Sequence, residues 1–129
     1  MLNGKQQVLI VDDDKFLLDM YSTKFSEHNF DVHTALSGTD ALSQLESGEA
    51  KPDIILLDLV MPGVDGFEVL SKIREKKLAS KATIIILSNL GQTEDVDKGL
   101  SLGASGYIVK ASATPSEVVV KVADIVNRK

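Results

Sequence analysis

The chain contains no cysteine, which excludes disulfides and thiolate metal sites at once. Nowhere does it carry an apolar run long enough to cross a bilayer. Its start, Met1 to Gln7, is polar, so neither a signal peptide nor a membrane span is expected and a soluble, cytoplasmic protein follows. A positive balance of charge is lacking too: 14 Lys and Arg stand against 19 Asp and Glu, a formal net charge of −5. A nucleic-acid-binding face would need a basic stripe to meet phosphate, so direct nucleic-acid binding is not expected. Linkers, repeats and low-complexity segments are also missing, and 129 residues bury a real core as one domain, expected over 1–129 with its core at about 7–127.

What is present is alternation. Gln7 to Val11 is a short apolar run ending in Asp12-Asp13-Asp14. Phe16, Leu17, Met20, Tyr21 and Phe25 then recur at helical spacing. Phe30 to Ala35 suits an edge strand. Ser37-Gly38-Thr39 opens a helix carrying Ala41, Leu42 and Leu45, and Ser47-Gly48 closes it. Asp53 to Leu57 and Ala82 to Leu87 are dense in branched aliphatics, as in strands buried on both faces.

Between those two strands Asp65 caps a helix, with Glu68 three residues on completing a capping box. Val96 and Leu100 mark a fourth helix, and Gly106 to Val109 a fifth strand. Thr114-Pro115-Ser116-Glu117 is a full helix-start signal ahead of Val118, Val119, Val122, Ile125 and Val126. Five βα units with apolar central strands predict an α/β fold: a doubly wound, flavodoxin-like three-layer sandwich with parallel order 2-1-3-4-5.

Every strand of such a sheet delivers its last residues to one edge, where ligands bind. Those residues are Asp12 and Asp13 after the first strand, Asp58 after the third, Ser88 after the fourth and Lys110 after the fifth. Three carboxylates held together repel, and a divalent cation removes the conflict. An all-oxygen donor set selects a hard ion, and a small open site suits Mg²⁺. A calcium loop is excluded, because Asp12-Asp13-Asp14 has neither the glycine nor the bidentate glutamate at loop spacing. A carboxylate, a cation, a lysine and a hydroxyl are the parts that stabilise a transferring phosphoryl group, which makes Asp58 the nucleophile. Asp14 is read as a helix N-terminal acid, and His28 and His33 lie away from the site edge.

The motifs Val11-Asp12-Asp13, Leu57-Asp58 through Met61-Pro62-Gly63 to Asp65-Gly66, Leu87-Ser88-Asn89 and Tyr107-Ile108-Val109-Lys110, in this order, closely resemble the receiver domain of two-component response regulators. The resemblance implies a phosphoacceptor, Asp58, modified in a Mg²⁺-dependent reaction by a histidine kinase or histidine phosphotransfer protein. By the same resemblance Asp13 binds Mg²⁺ directly, Asp12 through water, Asp58 itself and the Val60 backbone carbonyl complete the protein ligands. Lys110 pairs with Asp58 or its phosphate, Ser88 bonds the phosphoryl oxygen, and Tyr107 follows Ser88 as a switch. The output partner would meet helix four, strand five and helix five, with no membrane or external substrate involved.

Two positions depart from that pattern. Ala111 stands where the family usually has a cis proline; a cis bond before alanine would cost about 2.5–4 kcal/mol, so a trans peptide is expected. Asn89 stands where a small residue is common, and is expected to narrow access to Asp58. Val60 and Leu90 flank the path of attacking water, and neither orients nor deprotonates it, so a slowly hydrolysed phosphoryl group is expected. Three other readings compete. A Mg²⁺-dependent aspartyl-phosphate hydrolase of haloacid-dehalogenase type would want an Asp-x-Asp motif after its first strand and a cap or larger core, whereas the nucleophile here follows strand three. A flavodoxin-like cofactor binder would want a glycine- and hydroxyl-rich first loop, and a degenerate receiver would bind partners without phosphorylation.

Overall fold

The computed structural model describes residues 5–128. Five strands, β1 (Gln7–Val11), β2 (Asp31–Ala35), β3 (Ile54–Leu57), β4 (Thr83–Ser88) and β5 (Gly106–Val109), alternate with helices α1 (Lys15–Glu27), α2 (Gly38–Ser47), α3 (Gly66–Glu75), α4 (Thr93–Ser101) and α5 (Pro115–Asn127). All neighbouring strands pair in parallel in the order β2-β1-β3-β4-β5, as the alternation predicts.

The period-two alternation of each central strand divides the core in two. Leu9, Val11, Ile55, Leu57, Ile84 and Ile86 face Leu42, Val69, Leu70 and Ile73 from α2 and α3. Val8, Ile10, Ile54, Leu56, Ile85 and Leu87 face Leu18, Tyr21, Phe25, Val118 and Val122 from α1 and α5. Each such aliphatic contributes about 1.5–3 kcal/mol by leaving water, so the strands that carry the site are the most firmly held part of the fold. Asp31–Ala35 forms the edge strand expected of it, with only Ala35 of its five residues fully buried.

The helix starts follow the sequence signals. Asp14 caps α1 by accepting the Leu17 amide at 3.1 Å, and Ser37 caps α2 by accepting from Asp40 at 3.0 Å. Gly48, at φ 80°, ends α2 in the left-handed conformation that glycine adopts without a Cβ clash. In α5 both arms of the capping box form, Glu117 amide to Thr114 Oγ1 at 3.2 Å and Thr114 amide to Glu117 Oε1 at 2.8 Å.

Three expectations need correction. At α3 only one arm of the box forms: the Glu68 amide donates to Asp65 Oδ1 at 2.9 Å, and the cap is an Asx cap with no return bond from the Glu68 side chain. In α1 the buried stripe is Leu18, Tyr21 and Phe25, while Phe16 is 73% exposed. Two overlapping stripes share helical spacing here, and the sheet selects the one containing Leu18. In α4 Leu100 is 44% exposed, and the helix meets the sheet through Gly99. A Cβ on Gly99 would run into Ile86, so a missing side chain rather than an apolar one brings α4 close.

Candidate functional site

The direction in which the chain leaves the sheet reverses between β1 and β3, one going on to β2 and the other to β4. The ends of these two strands form the crevice where open α/β sheets bind ligands. Asp12 follows β1 and is 2% exposed, Asp58 follows β3 and is 5% exposed, and Asp13 is turned to solvent. One oxygen from each of the three lies within 4.8 Å of the others.

The backbone fixes these carboxylates. The Asp58 amide donates to the Val11 carbonyl at 3.0 Å, tying β3 to β1 where both end, and the Asp12 amide donates to Ala35 at 3.1 Å. Asp12 Oδ1 accepts the Asp14 amide at 3.0 Å, and Asp58 Oδ1 accepts the Val60 amide at 3.4 Å. Gly66 makes a further close approach. A Cβ there would overlap the Asp58 carbonyl and sit 2.7 Å from Leu59 Cα, so only glycine lets α3 start directly behind the site.

Lys110 extends from the end of β5 past the end of β4. Its Nζ lies 2.7 Å from Asp12 Oδ2 and 3.2 Å from Asp58 Oδ2. The sequence pairs this lysine with Asp58, and the structure adds Asp12 as the shorter contact. Burial pushes the Asp58 carboxyl above its ordinary range, against the pull of Lys110 and with help from Asp12. At Lys110 burial disfavours the ammonium, but the bond to Asp12 and the charges of Asp58 and Asp12 outweigh it and the group is raised. The lysine is therefore held cationic between two buried acids.

The other strand ends complete the mouth. Ser88 is fully buried, and its Oγ accepts the Leu90 amide at 3.3 Å. Tyr107 is half-buried against α4, and its hydroxyl donates to the Leu90 carbonyl. Burial raises this phenol, as do the charges of Asp95 and Asp58. Val60 is 59% exposed at the rim. The Lys110–Ala111 peptide is trans, and Ala111 donates its N–H to Asn89 Oδ1 at 3.0 Å. His28 caps the end of α1 through the Lys24 carbonyl, and His33 lies beside Asp31 on the edge strand, both apart from this group.

The donor set fits a small hard cation. Three carboxylates each offer an oxygen within 4.8 Å of the others, and an all-oxygen donor set at a small open site suits Mg²⁺. Three contacts escape sequence reasoning: Lys110 to Asp12, Tyr107 to Leu90 and Ala111 to Asn89. The first was within reach, since β1 and β3 are neighbours and a lysine side chain spans both; the other two depend on loop backbone that no periodicity records.

Doubly wound sheet, acidic switch point and bridging lysine together define a class of α/β domain built for cation-assisted phosphoryl chemistry at strand ends. Residues 8–123 match the family described as response regulator receiver domain, and the chain belongs to that family, the phosphoacceptor domains of two-component systems. It is 35% identical over 127 residues to a probable transcriptional regulator, ycf27, of Guillardia theta, covering 98% of this chain and 48% of that protein. With the transcriptional regulator RpaA of a Synechocystis strain it shares 34% identity over 81% of this chain and 42% of that protein. The chain thus spans about half the length of these curated relatives.

Among solved structures, the receiver domain of the Francisella response regulator 1452 superposes with a TM-score of 0.84 at 31% identity, covering 96% of this chain and 98% of that one. The chemotaxis protein CheY4 of Vibrio cholerae gives 0.84 at 27% identity, with 95% and 99% covered. Receiver domains bind Mg²⁺ through acidic residues and interact with histidine kinases, and this chain presents the corresponding aspartate cluster. Among the described residues no helix is long and apolar enough to cross a membrane.

Proposed function

We propose that this chain is one cytoplasmic receiver unit that accepts a phosphoryl group on Asp58 from a histidine kinase or histidine phosphotransfer protein, and signals by phosphorylation-dependent partner binding. The observation that carries the assignment is Asp58 itself, buried at the switch point within reach of Asp12, Asp13 and Lys110. Bound between Asp12, Asp13, Asp58 and the Val60 carbonyl, Mg²⁺ would supply neutralisation of the charge that gathers on the phosphoryl oxygens.

The chain's own groups do the rest. β3 holds the Asp58 carboxylate at the mouth with one oxygen steadied by the Val60 amide and the other beside Lys110. In the reaction one Asp58 oxygen forms the new P–O bond while the donor's bond to phosphorus breaks and its electron pair leaves with the donor. Lys110 keeps its proton and meets the charge on the phosphoryl oxygens as an ion pair. Ser88 Oγ accepts the Leu90 amide, and its O–H, which that bond does not use, would turn to the same phosphoryl oxygens with a movement of the loop. Leu90 also accepts from Tyr107, so that movement would reach the α4–β5–α5 face, the proposed output surface. The names of the two curated relatives support a transcriptional output.

No external substrate turnover is part of this reading, and the haloacid-dehalogenase alternative fits less well because the proposed nucleophile, Asp58, follows β3 rather than the first strand. Asp12-Asp13-Asp14 matches Asp-x-Asp in letters, but Asp14 caps α1. Incubation with acetyl phosphate and Mg²⁺, followed by peptide mapping, tests the assignment. Label on Asp58 with no steady-state phosphate release from a generic phosphomonoester supports it. Label elsewhere, or sustained turnover of the phosphomonoester, refutes it.

A further inference from the structure

Lys110 begins a short 3-10 turn, Lys110–Ser112, directly after β5. Its direction is set by the peptide plane that follows it. That plane carries the Ala111 N–H, and Asn89 Oδ1 takes it at 3.0 Å. The next bond, from the Ala113 amide to the Lys110 carbonyl, is longer at 3.3 Å. Asn89 is also the residue after Ser88, and Leu90 bonds both Ser88 Oγ and the Tyr107 hydroxyl. One exposed side chain thus fastens the hydroxyl-bearing loop to the lysine-bearing loop. Asn89, Lys110 and Ala111 line a common cleft of about 250 Å³ beside Leu17 and Tyr21. A proline at position 111 would have no N–H to give, so the asparagine and the alanine belong together.

We propose that Asn89 is a positioning residue: by accepting the Ala111 N–H it orients the Lys110–Ala111 peptide and so aims Lys110 at Asp12 and Asp58. The proposal rests on the reading of Asp58 as phosphoacceptor for its kinetic consequence, but its structural consequence stands apart from that reading. Its partner is a single backbone hydrogen bond, so the expected kinetic effect is modest, about fivefold.

The test uses Asn89→Leu, which keeps much of the side-chain volume without an acceptor, and Asn89→Ala, each alone and combined with Lys110→Ala. Labelling of Asp58 by acetyl phosphate with Mg²⁺ is followed by mass, and the Ala111 amide and Lys110 side-chain resonances by NMR without phosphodonor. The expected result is labelling slowed about fivefold in both single variants, no further slowing when Lys110→Ala is already present, and displaced resonances for both Ala111 and Lys110. An unchanged rate, or equal slowing with Lys110→Ala present, overturns the proposal. So does an undisturbed Lys110 resonance in Asn89→Leu. If the unaltered protein takes no label, the phosphoacceptor reading fails, and the Lys110 resonance still decides the role of Asn89.

Discussion

Replacing Lys110 with methionine perturbs the site in a way whose size follows from the geometry. The substitution keeps the length of the stem and removes the charge standing 2.7 Å from Asp12 and 3.2 Å from Asp58. Two nearly buried carboxylates are left facing each other. Removing one partner of a buried pair costs about 3–5 kcal/mol, but the loss has a ceiling, because the pair can take up one proton instead of staying doubly ionised. From an unfolded carboxyl pKa of about 3.9, holding that proton at pH 7 costs about 4 kcal/mol, and at pH 5 about 1.5 kcal/mol.

The sign is that of a raised carboxyl. Burial already lifts Asp58 in the native protein, and losing Lys110 lifts it further. Stability tied to its protonated form is full below the unfolded pKa and is lost as pH rises through the folded one. Lys110→Met is therefore expected to destabilise by about 3–4 kcal/mol at pH 7 and about 1.5 kcal/mol or less at pH 5. Mg²⁺ should recover part of the loss, by replacing the missing positive charge. With no tryptophan in the chain, urea unfolding followed by far-ultraviolet circular dichroism is the suitable assay. A loss below about 1 kcal/mol at pH 7, or one that is the same at both pH values, would refute the reasoning.

Three further outcomes are expected. Gly66→Ala places a Cβ against backbone that cannot rotate away, the Asp58 carbonyl and Leu59 Cα, so urea midpoints should reveal a loss at the upper end of about 1–3 kcal/mol, accompanied by slower labelling of Asp58. Thr114→Ala removes one arm of the α5 capping box and should cost about 1 kcal/mol with the labelling rate unchanged. Once formed, the phosphorylated protein should decay slowly in Mg²⁺, because neither Val60, exposed at the rim, nor Leu90 carries an acid or amide to direct water; a half-life of seconds, read by mass after donor removal, would contradict this.

The sheet was legible because its central strands are continuous aliphatics that have no stable place except between two helical layers. Helix starts were legible where an oxygen-bearing side chain precedes an apolar stripe, as at Asp14, Ser37 and Thr114. Periodicity misled where two stripes overlap, as in α1, where Phe16 shares the spacing of Leu17 and Met20 yet lies 73% exposed. It had nothing to detect in α4, which approaches the sheet through a glycine. At the site the carboxylates could be placed because strand ends fix them. The bonds among the loops could not, since Asn89 to Ala111 and Tyr107 to Leu90 run from side chain to backbone across turns whose course depends on the whole fold.

Intact-mass measurement of the protein after incubation with acetyl phosphate and Mg²⁺, beside an EDTA control and the Asp58→Asn variant, tests the central claim most directly. The account predicts the mass of one added phosphoryl group on the unaltered protein, lost with EDTA and missing from the variant. An unmodified protein, or equal modification of Asp58→Asn, would contradict it.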